Sequence, residues 1–196
     1  MINGKVGSFS RNEERARTPG HEPVILAGKV KANNGTYPTG LLLTRLLGEL
    51  IALAVIAAEV LATGDGATKA YAGTLASSPV EPGTVVITDG VETFTDDGFG
   101  TLTGDAGGTG TINYQTGDYT LGFIVNFLLA SDIEADYITA FAGVLDQECD
   151  TTNEGSCLYV SHGTVSTPVL KVGIAVPVEP SDALLMIMQQ HGVYPV

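Results

Sequence analysis

The residues best suited to chemistry are few and scattered. Histidines stand at His21, His162 and His191, and cysteines at Cys149 and Cys157. Zinc sites draw ligands from short spacings such as His-Glu-x-x-His or Cys-x-x-Cys, and neither pattern occurs. Cys149, Cys157 and His162 together supply three ligands at an irregular spacing, one short of a closed zinc set. A nucleophilic system can be drawn from Ser161, His162 and Asp146, but no Gly-x-Ser-x-Gly elbow presents the serine. A half-buried strand histidine is the expectation for His162. GDAGGTG at 104–110 has the glycine content of an anion-binding turn. It lacks the Lys and Ser/Thr of a phosphate loop and lies among Asp96, Asp97, Asp105 and Asp118, which repel phosphate. Those four acids could hold calcium, yet their spacing is not that of an EF-hand, so solvated turn acids are expected. The chain is therefore expected to carry no catalytic residue, no metal and no cofactor.

Charge is the more informative feature. Across 196 residues there are 9 Lys+Arg and 22 Asp+Glu, a net charge of −13, with only 16% charged residues. A nucleic-acid footprint needs a basic face that displaces counterions, and an acidic chain of this kind has none. Binding to an anionic membrane surface is disfavoured for the same reason. The N-terminus has no apolar core of a signal peptide. The most apolar stretch, LLLTRLLGELIALAVIAAEVLA at 41–62, is broken by Arg45, Glu49 and Glu59 and is too interrupted to span a bilayer.

The charge is also divided. Residues 1–45 hold seven basic and three acidic residues, a net +4, and the remainder two basic and nineteen acidic, a net −17. The first 22 residues are polar and without hydrophobic period, so they are expected to form an extended arm that orders on a partner through Lys5, Arg11, Arg15 and Arg17. Cys149 and Cys157 stand eight apart across the polar TTNEGS, which permits a hairpin disulfide, while a reducing cytosol would keep both as thiols.

The elements read as all-β with one short helix. VILAGKVKA at 24–32 precedes a hairpin signal at Asn33-Asn34-Gly35. GLLLTRLLG at 40–48 and LIALAVIAA at 50–58 are strand-length apolar runs bracketed by glycine. Between 61 and 120, twelve Gly and thirteen Thr accompany eight acids and one Lys. This stretch predicts short strands joined by tight turns, at 69–75, 83–90, 92–96, 100–104, 109–115 and 118–127, with 136–140 closing the set. FAGVLDQEC and CLYVSHGTVS then predict a hairpin, and PVLKVGIAV at 168–176 a further strand. Ser181 as N-cap, Asp182 in the first turn and Gly192 as the stop predict the helix. The composition breaks divide the chain into an arm at 1–22, a core from 23–60 and 139–196, and an inserted Gly/Thr-rich β domain at 61–138.

Two blocks of the core read together. PVILAGKVKANNGTYPTGLLL at 23–43 and FAGVLDQECDTTNEGSCLYVSHGTVSTPVLKV at 141–172, closed by SDALLMIMQQHGVYPV, resemble the head decoration proteins of tailed bacteriophages, the lambda head protein D-like group. The intervening segment is similar to Gly/Thr-rich β-modules inserted in some phage structural proteins. The resemblance implies a small β-tulip or barrel-like core with a β-sandwich-like insert. It further implies a homotrimer that cements major capsid protein subunits on the outer surface of the expanded virion head, after synthesis in the host cytoplasm. In that setting the N-terminal arm lends a strand to the shell. The unusually apolar LLGELIALAVIAAEV would place Leu50, Leu53, Val55 and Ile56 at a subunit interface. The competing reading is an adhesion module whose insert contacts a glycan, for which Tyr71, Phe94, Phe99, Tyr114 and Tyr119 are the available rings and Trp is absent. A hydrolase built on His162 is the third.

Overall fold

The computed structural model describes residues 14–124, 131–153 and 155–196, and its strands form a six-stranded and an eight-stranded curled sheet with separate cores, plus one two-stranded pair. The chain enters the first sheet through β1 (Val24–Lys29), β2 (Thr36–Tyr37), β3 (Leu42–Leu46) and β4 (Glu49–Ala52). It leaves for the second sheet with β5 (Val55–Thr63), β6 (Ala70–Thr74), β7 (Val86–Thr88), β8 (Thr93–Asp96), β9 (Thr101–Gly104), β10 (Thr109–Ile112), β11 (Asp118–Gly122) and β12 (Asp132–Ile138). It then returns through β13 (Phe141–Leu145), β14 (Cys149–Asp150), β15 (Ser156–Val165), helix α1 (Asp182–Gln190) and β16 (Val193–Pro195).

The first sheet has the order β1-β15-β13-β3-β4, with β16 parallel to β15, and β2 paired only with β14. It curls until Val30 bridges to Leu50 and Lys31 N–H donates to the Leu50 carbonyl at 3.2 Å, bringing β1 against β4. Gly28 permits that approach, because a Cβ there would lie 2.2 Å from Leu50 Cδ1. Tyr37, Leu41, Leu43, Leu50, Leu145 and Tyr159 fill the interior beside the Cys149–Cys157 disulfide, whose Cα atoms are 6.1 Å apart. The other face of the sheet is covered by α1, whose Leu184, Ile187 and Met188 recur at helical spacing and pack on Leu42, Val144 and Val160. Ser181 caps this helix, its Oγ accepting from Leu184 N–H at 3.4 Å, and Gly192 at φ 79° ends it.

The second sheet is one continuous eight-stranded ribbon, β5-β12-β7-β8-β9-β10-β11-β6, that curls into a nearly closed barrel rather than two facing sheets. Its sequence alternates as a half-buried strand must: in β9, Leu102 and Gly104 point inward while Thr101 and Thr103 face out. The threonines pair across strands on the outside, Thr111 with Thr120 at 2.7 Å, which accounts for the composition of this stretch. Phe94, Leu102, Ile87, Ile133 and Tyr137 fill the interior. The terminal strands β5 and β6 are not hydrogen-bonded to each other. Glu59 of β5 instead reaches the chain just past β6, its Oε1 accepting from Ala76 N–H at 2.9 Å, while Tyr137 Oη of the neighbouring β12 donates to its Oε2 at 2.5 Å.

Five expectations change. The second unit is not the β-sandwich-like insert that the resemblance implies, because its eight strands hydrogen-bond into one continuous sheet. The second unit starts at Val55, not at residue 61, because the apolar β5 pairs with β12. The 33–35 turn does not make a hairpin, since β1 pairs with β15 instead of β2. Residues 168–176 form no strand: Thr167–Val169 is a single 3-10 turn, followed by isolated bridges from Leu41 to Lys171 and from Val172 to Val178. Residues 14–22 are not a free arm, since Ala16 is buried in the core and Ser166 N–H donates to its carbonyl at 2.8 Å. The tail of the expected strand at 118–127, beyond Ile124, lies outside the described residues.

Two barrel phenols give the fold a pH limit. Burial, followed by the hydrogen bond to Glu59, pushes Tyr137 up to about 12, and burial with the bond to Asp96 does the same for Tyr114. Both values lie above the ordinary 10.0, so the fold favours the neutral phenols. Their contribution is full below pH 10 and is lost as pH rises toward 12. The melting temperature is expected to hold to pH 10 and then fall, with a shallower fall in Tyr137→Phe; an unchanged slope in that variant would exclude Tyr137 as a cause.

Candidate functional site

The side chains singled out for chemistry are taken up by the fold. Asp146 does not meet His162. It is fully buried at the end of β13, where Arg15 Nη1 donates to its Oδ2 at 3.0 Å and Arg17 Nε lies 3.7 Å away. Arg17 N–H reaches Asp146 Oδ1 at 3.4 Å and Ala16 N–H the Asp146 carbonyl at 3.0 Å, so Asp146 holds residues 15–17, while Thr164 holds the rest of the entering segment through Thr18 and His21. Ser161 Oγ donates to the Val24 carbonyl at 3.2 Å. The His162 ring stacks edge-on against His21, with centroids 4.8 Å apart, and packs on Gly192. Ser161, His162 and Asp146 thus form no relay. Both sulfurs bond to each other, which removes them as metal ligands.

The glycine-rich loop closes inward. Gly104 N–H donates to Gly108 O at 2.8 Å, and Gly108 N–H donates to Glu92 Oε1 at 2.6 Å inside the barrel. A buried carboxylate therefore takes the amide that a phosphate would need. The four acids nearby stabilise separate turns. Asp96 accepts from Gly83 N–H at 2.6 Å and Tyr114 Oη at 2.5 Å, and Asp105 accepts from Thr93 N–H at 3.0 Å. Backbone N–H groups of Phe99 and Thr101 hold Asp97 below the usual carboxylate range, and the hydroxyls of Thr74 and Thr116 do so for Asp118. Among the described residues no group of three or more His, Cys, Asp or Glu is arranged to hold a metal.

His191 joins the two units. Its Nε2 lies 2.8 Å from Glu81 Oε1, and Glu81 Oε2 accepts from Phe141 N–H at 2.8 Å. Ala54 N–H donates to Thr139 Oγ1 at 2.9 Å beside it. Glu81, on the barrel, is thus fixed to the end of α1 and the start of β13.

What remains available are surfaces. Of the four arm residues, Lys5 and Arg11 lie outside the described residues, and Arg15 and Arg17 are clasped to the body. Of the four interface residues, Leu50 and Leu53 are buried inside this chain and cannot meet a second subunit; Val55 is 53% exposed and Ile56 half-buried on the barrel core. Leu53 and Val55 instead line an open apolar groove of about 600 Å³ at the junction of the units, together with Val172, Ile174, Val178 and Glu179. A second surface is the β3–β4 turn, where Leu47 is 96% exposed. Arg45 braces it, Nη1 donating to the Gly48 carbonyl at 3.1 Å and Nη2 to Tyr159 Oη at 2.9 Å. Lys29 and Glu49 pair alongside at 2.6 Å. Neither the groove nor the tip was among the sequence expectations; the signal for the tip was a leucine in a two-residue turn.

Charge is also divided unequally between the two units. Residues 55–138 carry twelve acids and Lys69, a net −11, and the rest of the chain eight bases and ten acids, a net −2. No family model matches the chain, and no curated protein or solved structure matches it either.

Proposed function

We propose that this chain is a structural virion protein that decorates and cements the outer surface of a tailed-phage head, binding major capsid protein subunits as a homotrimer and stabilising the expanded shell. The observation that supports it is the separation of charge between the units. The barrel holds a net −11 and one lysine, while the remaining cations belong to the first unit and the segment that leads into it. That segment is anchored at Asp146 on the less acidic of the two units, where Arg15 and Arg17 meet the carboxylate. Three such arms on a repeating lattice add weak contacts into tight retention, and an acidic barrel facing outward keeps decorated particles apart.

A chain lacking residues 1–13 is expected to stay folded and to lose co-sedimentation with expanded heads stripped of their decoration protein. Retention equal to that of the full chain would overturn the arm's role. The adhesion reading draws on the Gly/Thr-rich barrel, but sugar stacking needs exposed rings. Phe94 and Tyr119 are buried, Tyr114 is tied to Asp96 and Tyr71 is half-buried, leaving Phe99 as the exposed ring among the five.

A further inference from the structure

We propose that Leu47 is a docking knob that fills the junction groove of a second copy of this chain. The β3–β4 connection is a two-residue turn with φ of 50° at Leu47 and 87° at Gly48, the left-handed pair of a type I′ hairpin. The first position of such a turn takes Asn, Asp or Gly: the left-handed backbone brings Cβ against the following carbonyl oxygen, glycine has no Cβ, and the Asn or Asp side chain compensates with a local hydrogen bond that leucine cannot make. Leucine has that strain and also leaves its side chain 96% in water, so no packing among the described residues compensates for it. Arg45, bonded to Gly48 and Tyr159, holds the tip rigid.

The groove is the matching feature. It is apolar and open, with Leu53, Val55, Val172, Ile174 and Val178 along its walls. Ala52 at its margin is the last residue of β4, five positions beyond Leu47, roughly 17 Å along an extended strand. The tip therefore cannot reach the groove of its own chain, whereas a second copy presents the same tip. Charge agrees: Arg45 flanks the knob and Glu179 the groove, so docking brings a guanidinium to a carboxylate. Knob and groove are different surfaces, so the contact is head-to-tail and closes as a ring when the rotation allows. It specifies a contact within the proposed trimer and is tested without any shell, so shell binding is judged separately.

The test is sedimentation velocity of the full chain over the micromolar range. Wild type is expected to associate. Leu47→Asn restores the turn's preferred residue, so it is expected to melt no lower than wild type while association weakens by more than roughly tenfold. Val178→Asp, at an exposed groove position, is expected to do the same from the other side. Mixing the two variants supplies one intact knob and one intact groove, and is expected to give a dimer that grows no further. A wild type that stays monomeric, a Leu47→Asn that associates like wild type, or a mixture with no dimer would each overturn the proposal.

Discussion

Replacing Arg15 and Arg17 together with alanine is expected to destabilise the protein by about 3 kcal/mol, the lower end of what stranding a buried charge costs. The carboxylate of Asp146 has no exposure, and both guanidinium contacts come from this short segment. Without them a charge is left inside the protein with Arg17 N–H as its remaining contact from the segment, at 3.4 Å. The arginines themselves are partly in water, so their own loss of partner costs little. Arg17→Ala alone, at 3.7 Å and on the more exposed side chain, is expected to cost less than about 1 kcal/mol. Urea unfolding measures both. A double variant no weaker than the single one would mean that residues 14–22 do not depend on Asp146.

Phe94→Ala is expected to cost about 3–5 kcal/mol, the range for emptying a buried aromatic site. Phe94 is fully buried at the centre of the barrel, its ring edge-on to Phe123 with centroids 4.9 Å apart. Gly108 lies against the ring with no side chain of its own to fill the space the ring would leave. The two units have separate cores, so calorimetry of this variant is expected to show the barrel melting ahead of a first unit that keeps its disulfide and its Tyr37 and Tyr159 packing. Phe99→Ala, a few residues away in an exposed turn, is expected to shift stability by less than about 0.5 kcal/mol. Equal effects at the two phenylalanines would contradict the placement of the core.

The barrel was the most legible part of the chain, because its information is local. Alternation in TLTG and DYTLG sets which side faces in, and Asp-Gly and Gly-Gly pairs set the turns. The helix was legible for the same reason, through Ser181 and Gly192. The entering segment was not, since what orders its residues 15–17 is a carboxylate 129 and 131 residues away, and no local period announces such a contact. The run VGIAV reads as a strand by hydropathy, yet Gly173 at φ 87° turns it aside and it becomes a wall of the groove. Leu50 and Leu53 looked available to a partner because the stretch is so apolar; the curl that brings β1 onto β4 buries Leu50, and α1 covers the face that holds Leu53. Leu47 was hidden by its own oddity, a leucine where turn rules ask for Asn or Gly.

The central claim is that this protein adds to a mature phage shell. Its most direct measurement is co-sedimentation of the full chain with expanded and with unexpanded heads, both free of decoration protein. The chain is expected to saturate the expanded heads in multiples of three and to remain in the supernatant with the unexpanded ones. Equal binding to both forms, or to neither, would contradict it.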